Sequence, residues 1–140
     1  MPAEIATVAR AMMLHDRASE SLGMTVQVNE PGRAVVTMTV REDMLNGFAI
    51  THGGLVFALA DTAFAIACND SEFVTVAAGA DISFLRSTTV GDVLTATALE
   101  RSKSGRSGIY DVQVLDAGGA TVAEFRGRSR RTSASPPVHT

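Results

Sequence analysis

The sequence predicts an α+β domain in which an antiparallel sheet of five to six strands wraps around one long central helix. Three observations carry that expectation. Gly53 to Asn69 is apolar at nearly every position and long enough for several helical turns. The residues after it divide into strand-length segments rich in Val, Thr, Ile and Ala, separated by turn-forming pairs. No other segment is apolar enough to cover the sheet face that those strands create.

The elements follow in order. Ile5 to Leu22 carries Val8, Ala11, Met12 and Leu14 at mostly helical spacing, and Gly23 is a natural stop. Met24 to Val28 reads as a short strand, closed by a turn at Asn29-Glu30-Pro31-Gly32. Ala34 to Val40 is rich in Val and Thr and reads as strand, and Arg41 to Thr51 as a loop containing Asn46-Gly47. After the long helix, Asn69-Asp70-Ser71 supplies turn chemistry. The strands Phe73 to Leu85, Asp92 to Ser102, Ser107 to Leu115 and Ala120 to Ser129 follow, and their short connections predict an antiparallel meander. Residues 1–131 form one domain, and Thr132 to Thr140, with Ser, Pro and no apolar pattern, reads as a disordered tail. A helix apolar on all sides exceeds what one sheet face covers, so a dimer or larger assembly is expected.

Composition narrows the function classes. A formal charge of −3 gives no electrostatic case for nucleic acid or a membrane surface as partner. The single cysteine, Cys68, cannot form an internal disulfide, and no basic-then-apolar leader opens the chain, which fits a cytoplasmic protein. The run Leu55 to Cys68 is interrupted by Asp61 and falls short of the ~20 residues that a bilayer requires.

Asp61 is the informative residue. An ionised carboxylate inside an apolar helix is costly unless it has partners or a task. The same helix opens with His52-Gly53-Gly54, and a glycine-rich helix start offers backbone N–H donors at the positive end of the macrodipole. An acid and a set of aimed donors are two of the parts needed to hydrolyse an acyl compound. Each residue also has a plainer reading. Asp61 can be a structural acid satisfied by a hydroxyl such as that of Thr62. His52 can be a helix cap. The glycines can serve close packing, and Asn46-Gly47 can be a turn and nothing more. Cys68 reads as a buried small hydrophobe. The Ser, His and Asp residues lack nucleophile-elbow spacing, and no Cys/His cluster has metal-ligand spacing.

Four segments carry a resemblance: Met44-Leu45-Asn46-Gly47, Thr51-His52-Gly53-Gly54, Leu59-Ala60-Asp61-Thr62-Ala63-Phe64 and Asp81-Ile82-Ser83-Phe84-Leu85-Arg86. Gly91-Asp92-Val93-Leu94-Thr95-Ala96 and Phe125-Arg126-Gly127-Arg128-Ser129 extend it to nearly the whole chain. Together they resemble the hotdog-fold acyl-CoA thioesterases, of the PaaI type found with phenylacetic acid degradation. The resemblance implies a hotdog fold, a coenzyme A thioester as substrate, water as second reactant, and no metal or organic cofactor. It also implies a homodimer with two sites at the interface, and for PaaI-like members a homotetramer.

The residues then take expected roles. Asp61 is the general base or nucleophile, and the Gly54 N–H polarises the thioester carbonyl. The resemblance has His52 and Asn46 shape the site and hydrogen-bond near the thioester; Gly53 and Thr62 are expected beside the substrate, and Thr62, next to Asp61, is also placed to help orient it. Gly54 and Asp61 lie seven residues apart, ~10 Å along a helix axis, too far for one thioester carbon to meet both. Two antiparallel helices across a two-fold axis would close that gap. Some relatives hold the water with a hydroxyl on the strand after the helix, whereas this chain has Ala77-Ala78-Gly79-Ala80 there. The coenzyme A phosphates call for cations; the candidates are Arg86, Arg101, Lys103, Arg106, Arg128 and Arg130, with Arg86 and Arg128 placed at the substrate. The rival functions are a hydratase or dehydratase on the same fold, and a non-catalytic acyl-CoA binding module.

Overall fold

The computed structural model describes residues 7–135. Two short helices, α1 (Thr7–Leu14) and α2 (Arg17–Ser21), precede strands β1 (Thr25–Glu30) and β2 (Arg33–Thr39). The long helix α3 (Gly53–Cys68) follows, then β3 (Thr75–Phe84), β4 (Val93–Ser104), β5 (Ser107–Leu115) and β6 (Thr121–Arg131). The expected helix from Ile5 to Leu22 is thus two helices, with residues 1–6 outside the described chain. Asp16 divides them: its carboxylate accepts the Ser19 N–H at 3.0 Å and starts α2 as an N-cap. The loop Arg41 to Thr51 holds one 3₁₀ turn, Glu42–Met44.

All six strands join one antiparallel sheet in the order β1-β2-β4-β5-β6-β3. The strand count matches the expectation, but the meander covers only β4, β5 and β6. β3 pairs with β6 and forms an edge, while β4 pairs with β2. The physical reason lies between β3 and β4, where the connection is longer than a hairpin turn permits. That segment is tied elsewhere: Gly91 N–H donates to Val40 C=O, and Val40 N–H to Asp92 C=O, both at 2.9 Å. It therefore delivers β4 to β2.

The concave face of the sheet closes on α3. Val36, Met38, Leu94, Ala96, Val112, Val114 and Phe125 meet Leu59, Ala63, Phe64 and Ile66 in one buried cluster. Phe64 lies between Tyr110 and Phe125, with ring centroids 5.6 and 5.8 Å away. At the far end Asn69 is buried and pairs like a strand residue with Thr75, donating to its C=O at 3.1 Å and accepting its N–H at 2.8 Å. This fixes where β3 begins.

Two further points concern the open face of α3 and the end of the described chain. The residues of α3 left outside the core are mostly small: Gly54, Ala58, Asp61 and Ala65 lie on one stripe. Large apolar side chains are exposed elsewhere, among them Val76 and Phe84 on edge strand β3, Val93 and Leu99 on β4, Leu14 at the end of α1, and Leu85, Val90 and Phe48 on loops. The tail expected from Thr132 starts as ordered chain, because Thr132 N–H and Oγ1–H donate to Val74 C=O and Val74 N–H donates to Ala134 C=O. Residues 136–140 lie outside the described chain.

Candidate active site

The opening of α3 is held by the loop before it. His52 N–H donates to Met44 C=O and Thr51 N–H to Thr88 C=O, both at 2.8 Å, and the Thr51 and Thr88 hydroxyls share a buried hydrogen bond at 2.7 Å. Asn46 organises the loop tip. Its Oδ1 accepts the N–H of Phe48 at 2.9 Å and of Ile50 at 3.4 Å, while Ala49 adopts a left-handed φ of 61°. The turn role weighed for Asn46 is thus present, and the residue also lines a cleft of about 310 Å³ with Thr51, Gly53, Phe84 and Arg86. Gly53 is glycine for a visible reason: a Cβ there would lie 3.2 Å from the Phe84 ring.

His52 is the N-cap of α3, and its Nδ1 accepts the Gly54 N–H at 3.1 Å. The cap role is therefore occupied by the imidazole, and the expected oxyanion donor is engaged in this structure. The Gly53 N–H, one residue earlier, has no acceptor within the helix. His52 and Gly54 line a second hollow of about 370 Å³, with Met44, Leu45 and Leu55.

Asp61 lines neither hollow. It sits two turns along α3, half-buried, on the stripe of small residues. Burial pushes its carboxyl above the ordinary carboxylate range, and the negative charge of Asp16 adds to the rise. Both causes make it a better base near neutral pH. Thr62, next in sequence, is buried and shares a hydrogen bond with Ser19 Oγ at 3.0 Å, so it faces α2 rather than a substrate cleft. Sequence reasoning did not find Asp16 and Ser19 near this site, although Asp16 followed by Ser19 is a readable helix-start pair.

Among the described residues, five of the six cations that could hold phosphates have protein partners. Arg86 pairs with Asp116 at 3.5 Å and Arg128 with Asp81 at 3.0 Å. Arg101 reaches Asp111 at 3.2 Å, Lys103 reaches Asp70 at 3.2 Å, and Arg130 donates to Ser107 Oγ at 3.3 Å. Of these, Arg86 borders the cleft, whereas Arg128 lies on the outer sheet surface against Gly79, where a Cβ would stand 2.9 Å from its guanidinium. The hydroxyl-poor segment Ala77 to Ala80 forms the bulged part of β3, where the register shifts between Ala77 and Gly79.

Within one chain, then, Asn46, Gly53 and Arg86 meet in one cleft, His52 and Gly54 in another, and Asp61 with Thr62 stands apart. An antiparallel sheet around one helix, with a capped glycine pair at the helix start and a carboxylate two turns along it, defines a class. The Thioesterase superfamily model matches residues 48–123, and the chain belongs to that superfamily, hydrolases of thioester bonds with the hotdog fold. Among particular proteins it is similar to the acyl-coenzyme A thioesterase PaaI of Escherichia coli strain K12, 46% identical over 123 residues and 88% of each chain. A solved structure of the E. coli PaaI protein from the phenylacetic acid degradation operon superposes with a TM-score of 0.90 at 41% identity, covering 96% of this chain and 100% of that one. A point mutant of the phenylacetic acid degradation protein PaaI from Thermus thermophilus gives 0.79 at 37% identity, covering 82% and 98%. Among the described residues no helix is long and apolar enough to cross a membrane.

Proposed function

We propose that this thioesterase hydrolyses aryl- or phenylacetyl-type coenzyme A thioesters to the free acid and coenzyme A, in the cytoplasm, as a homodimer or a tetramer built from dimers. The single observation that carries the chemistry is the half-buried carboxylate of Asp61, its proton affinity raised by burial and by Asp16, on a helix whose start presents backbone donors. Asp61 takes a proton from water as the water oxygen bonds to the thioester carbon. The carbonyl oxygen gains charge against the opening turn of α3, accepting the Gly54 N–H in place of His52 Nδ1, beside the Gly53 N–H. When the C–S bond breaks, the Asp61 proton passes to the departing thiolate.

Geometry favours a composite site. Gly54 and Asp61 lie on one open stripe about 10 Å apart along the axis. A second α3 running antiparallel along that stripe brings the Gly54 end of one protomer to Asp61 of the other, and small side chains permit the close approach. His52 is engaged as a cap, and no histidine follows Asp61 on α3, which argues against a hydratase with an Asp–His pair.

The test is thiol release from a panel of coenzyme A thioesters by wild type and Asp61→Asn. Loss of more than ~100-fold with the fold intact supports the base. Wild type that binds these thioesters and releases no thiol overturns the reading.

A further inference from the structure

Two polar groups at the start of α2, Asp16 and Ser19, meet a third on α3, Thr62, the residue after Asp61. Ser19 Oγ lies 2.7 Å from Asp16 Oδ2 and 3.0 Å from Thr62 Oγ1. A hydroxyl has one proton, and a carboxylate only accepts. Ser19 therefore donates to Asp16, and Thr62 donates to Ser19. The chain of donors runs one way, from α3 through α2 to a charge. Ser19 and Thr62 are both buried, so water does not compete for these bonds. A threonine inside a helix commonly donates back to the carbonyl four residues earlier; here the hydroxyl is used to join two helices.

We propose that Asp16, Ser19 and Thr62 are positioning residues for Asp61: they pin α2 to the turn of α3 that carries the reacting carboxylate and set a second carboxylate beside it. This rests on the reading of Asp61 as the base. A peptide unit held at Thr62 holds its neighbour, and only a small displacement of a base separates productive from idle geometry. Within the protomer the charge acting on Asp61 is that of Asp16, while in the composite site the start of the second α3 faces the same carboxylate and acts in the opposite sense. The sheet presents apolar side chains to α3. Along α3 the titratable group that feels the charge of Asp61 is Cys68, a buried thiol that stays neutral. From the cap of α2 the charged neighbour acting on Asp61 is Asp16.

The experiment measures kcat, KM and the pH profile of kcat/KM for phenylacetyl-CoA hydrolysis in Thr62→Val, Thr62→Ser, Asp16→Asn and Asp61→Asn. Val keeps the size of Thr and removes the hydroxyl. Expected is a fall in kcat of about tenfold with KM little changed, largely restored in Thr62→Ser. Asp16→Asn keeps the helix cap, since Asn caps as well as Asp, and removes the charge. Its acid limb should move to lower pH, so that each profile normalised to its own plateau shows the variant about two- to threefold more active at the acidic end. If Thr62→Val fails to fold, the Asp16→Asn profile decides alone. Wild-type kcat in Thr62→Val, or an unmoved acid limb in Asp16→Asn, with Asp61→Asn inactive, overturns the positioning role and leaves the function standing. An active Asp61→Asn overturns both.

Discussion

Gly127 on β6 sits under Phe64, and replacing it with alanine should dislodge the helix that carries Asp61. An added Cβ would stand 2.7, 2.7 and 2.8 Å from three carbons of the Phe64 ring. Real Cβ contacts do not come that close, so something must move. The ring has little room: Phe64 is 1% exposed and is flanked by Tyr110 and Phe125. On the strand side, Gly127 is paired with Tyr110 on β5 and Ala80 on β3, so β6 is held from both edges. Overpacking of this kind costs about 1–3 kcal/mol, and the enclosure puts Gly127→Ala near the upper end. For a chain of this length that is a fall in Tm on the order of 6–12 °C. Phe64 lies one turn beyond Asp61, so kcat should fall as well. The assay is thermal unfolding followed by circular dichroism, at fixed protein concentration because the Tm of an oligomer depends on it. Gly47→Ala is the control: its Cβ meets nothing within 4 Å, and its stability should change by no more than about 0.5 kcal/mol. Adding Phe64→Leu, which gives up ring volume, should recover part of the loss. A Gly127→Ala protein that melts with wild type would refute the packing argument.

Three other outcomes follow. Asp61 has a raised carboxyl in the folded state, so folding favours its protonated form; the penalty is absent below the unfolded carboxylate pKa, about 3.9, and grows as pH rises through the folded value. Asp61→Asn should thus melt above wild type at pH 7, with the gap closing toward pH 3, and a gap constant across that range would contradict it. His52→Ala removes the acceptor for Gly54 N–H and should cost about 1 kcal/mol, whereas His52→Asn should keep most of the cap; equal melting of the two variants would show that Nδ1 is not the stabilising group. Burial, reinforced by Asp70, pushes the Cys68 thiol up to about 12, so Ellman's reagent at pH 8 should label it only after unfolding in guanidinium, and rapid native labelling would contradict the burial.

Asp61 and the helix around it were legible because one charged residue in an apolar run is a local signal, read within a few turns. The same holds for His52 as a cap and for the strands of the β4–β6 hairpins, whose turns are short. The place of β3 was not legible. Local pattern gives a strand, but its partner is chosen by the long connection after Phe84 and by the ties of Thr88 to Thr51 and Gly91 to Val40, all between residues far apart in sequence. Asp16 and Ser19 were hidden for the same reason: 43 positions separate Ser19 from Thr62, and only packing of α2 on α3 joins them. The arginines illustrate a different limit. Their number along β4–β6 invites a phosphate role, whereas Asp81, Asp111 and Asp116 across the sheet and turns determine which of them are already neutralised.

The sheet order also sets a timetable for synthesis. β3 leaves the ribosome directly after α3, but its one neighbour in the sheet is β6, the last strand to emerge. Until Thr121–Arg131 arrives, β3 has both of its edges open, and it carries Val76 and Phe84 exposed even in the finished protomer. Between the emergence of β3 and that of β6 the nascent chain therefore holds an apolar strand without its partner, the kind of segment that aggregates or recruits a chaperone. A stalled or truncated product lacking β6 should be the species that precipitates, while one that completes β6 closes the sheet in a single late step.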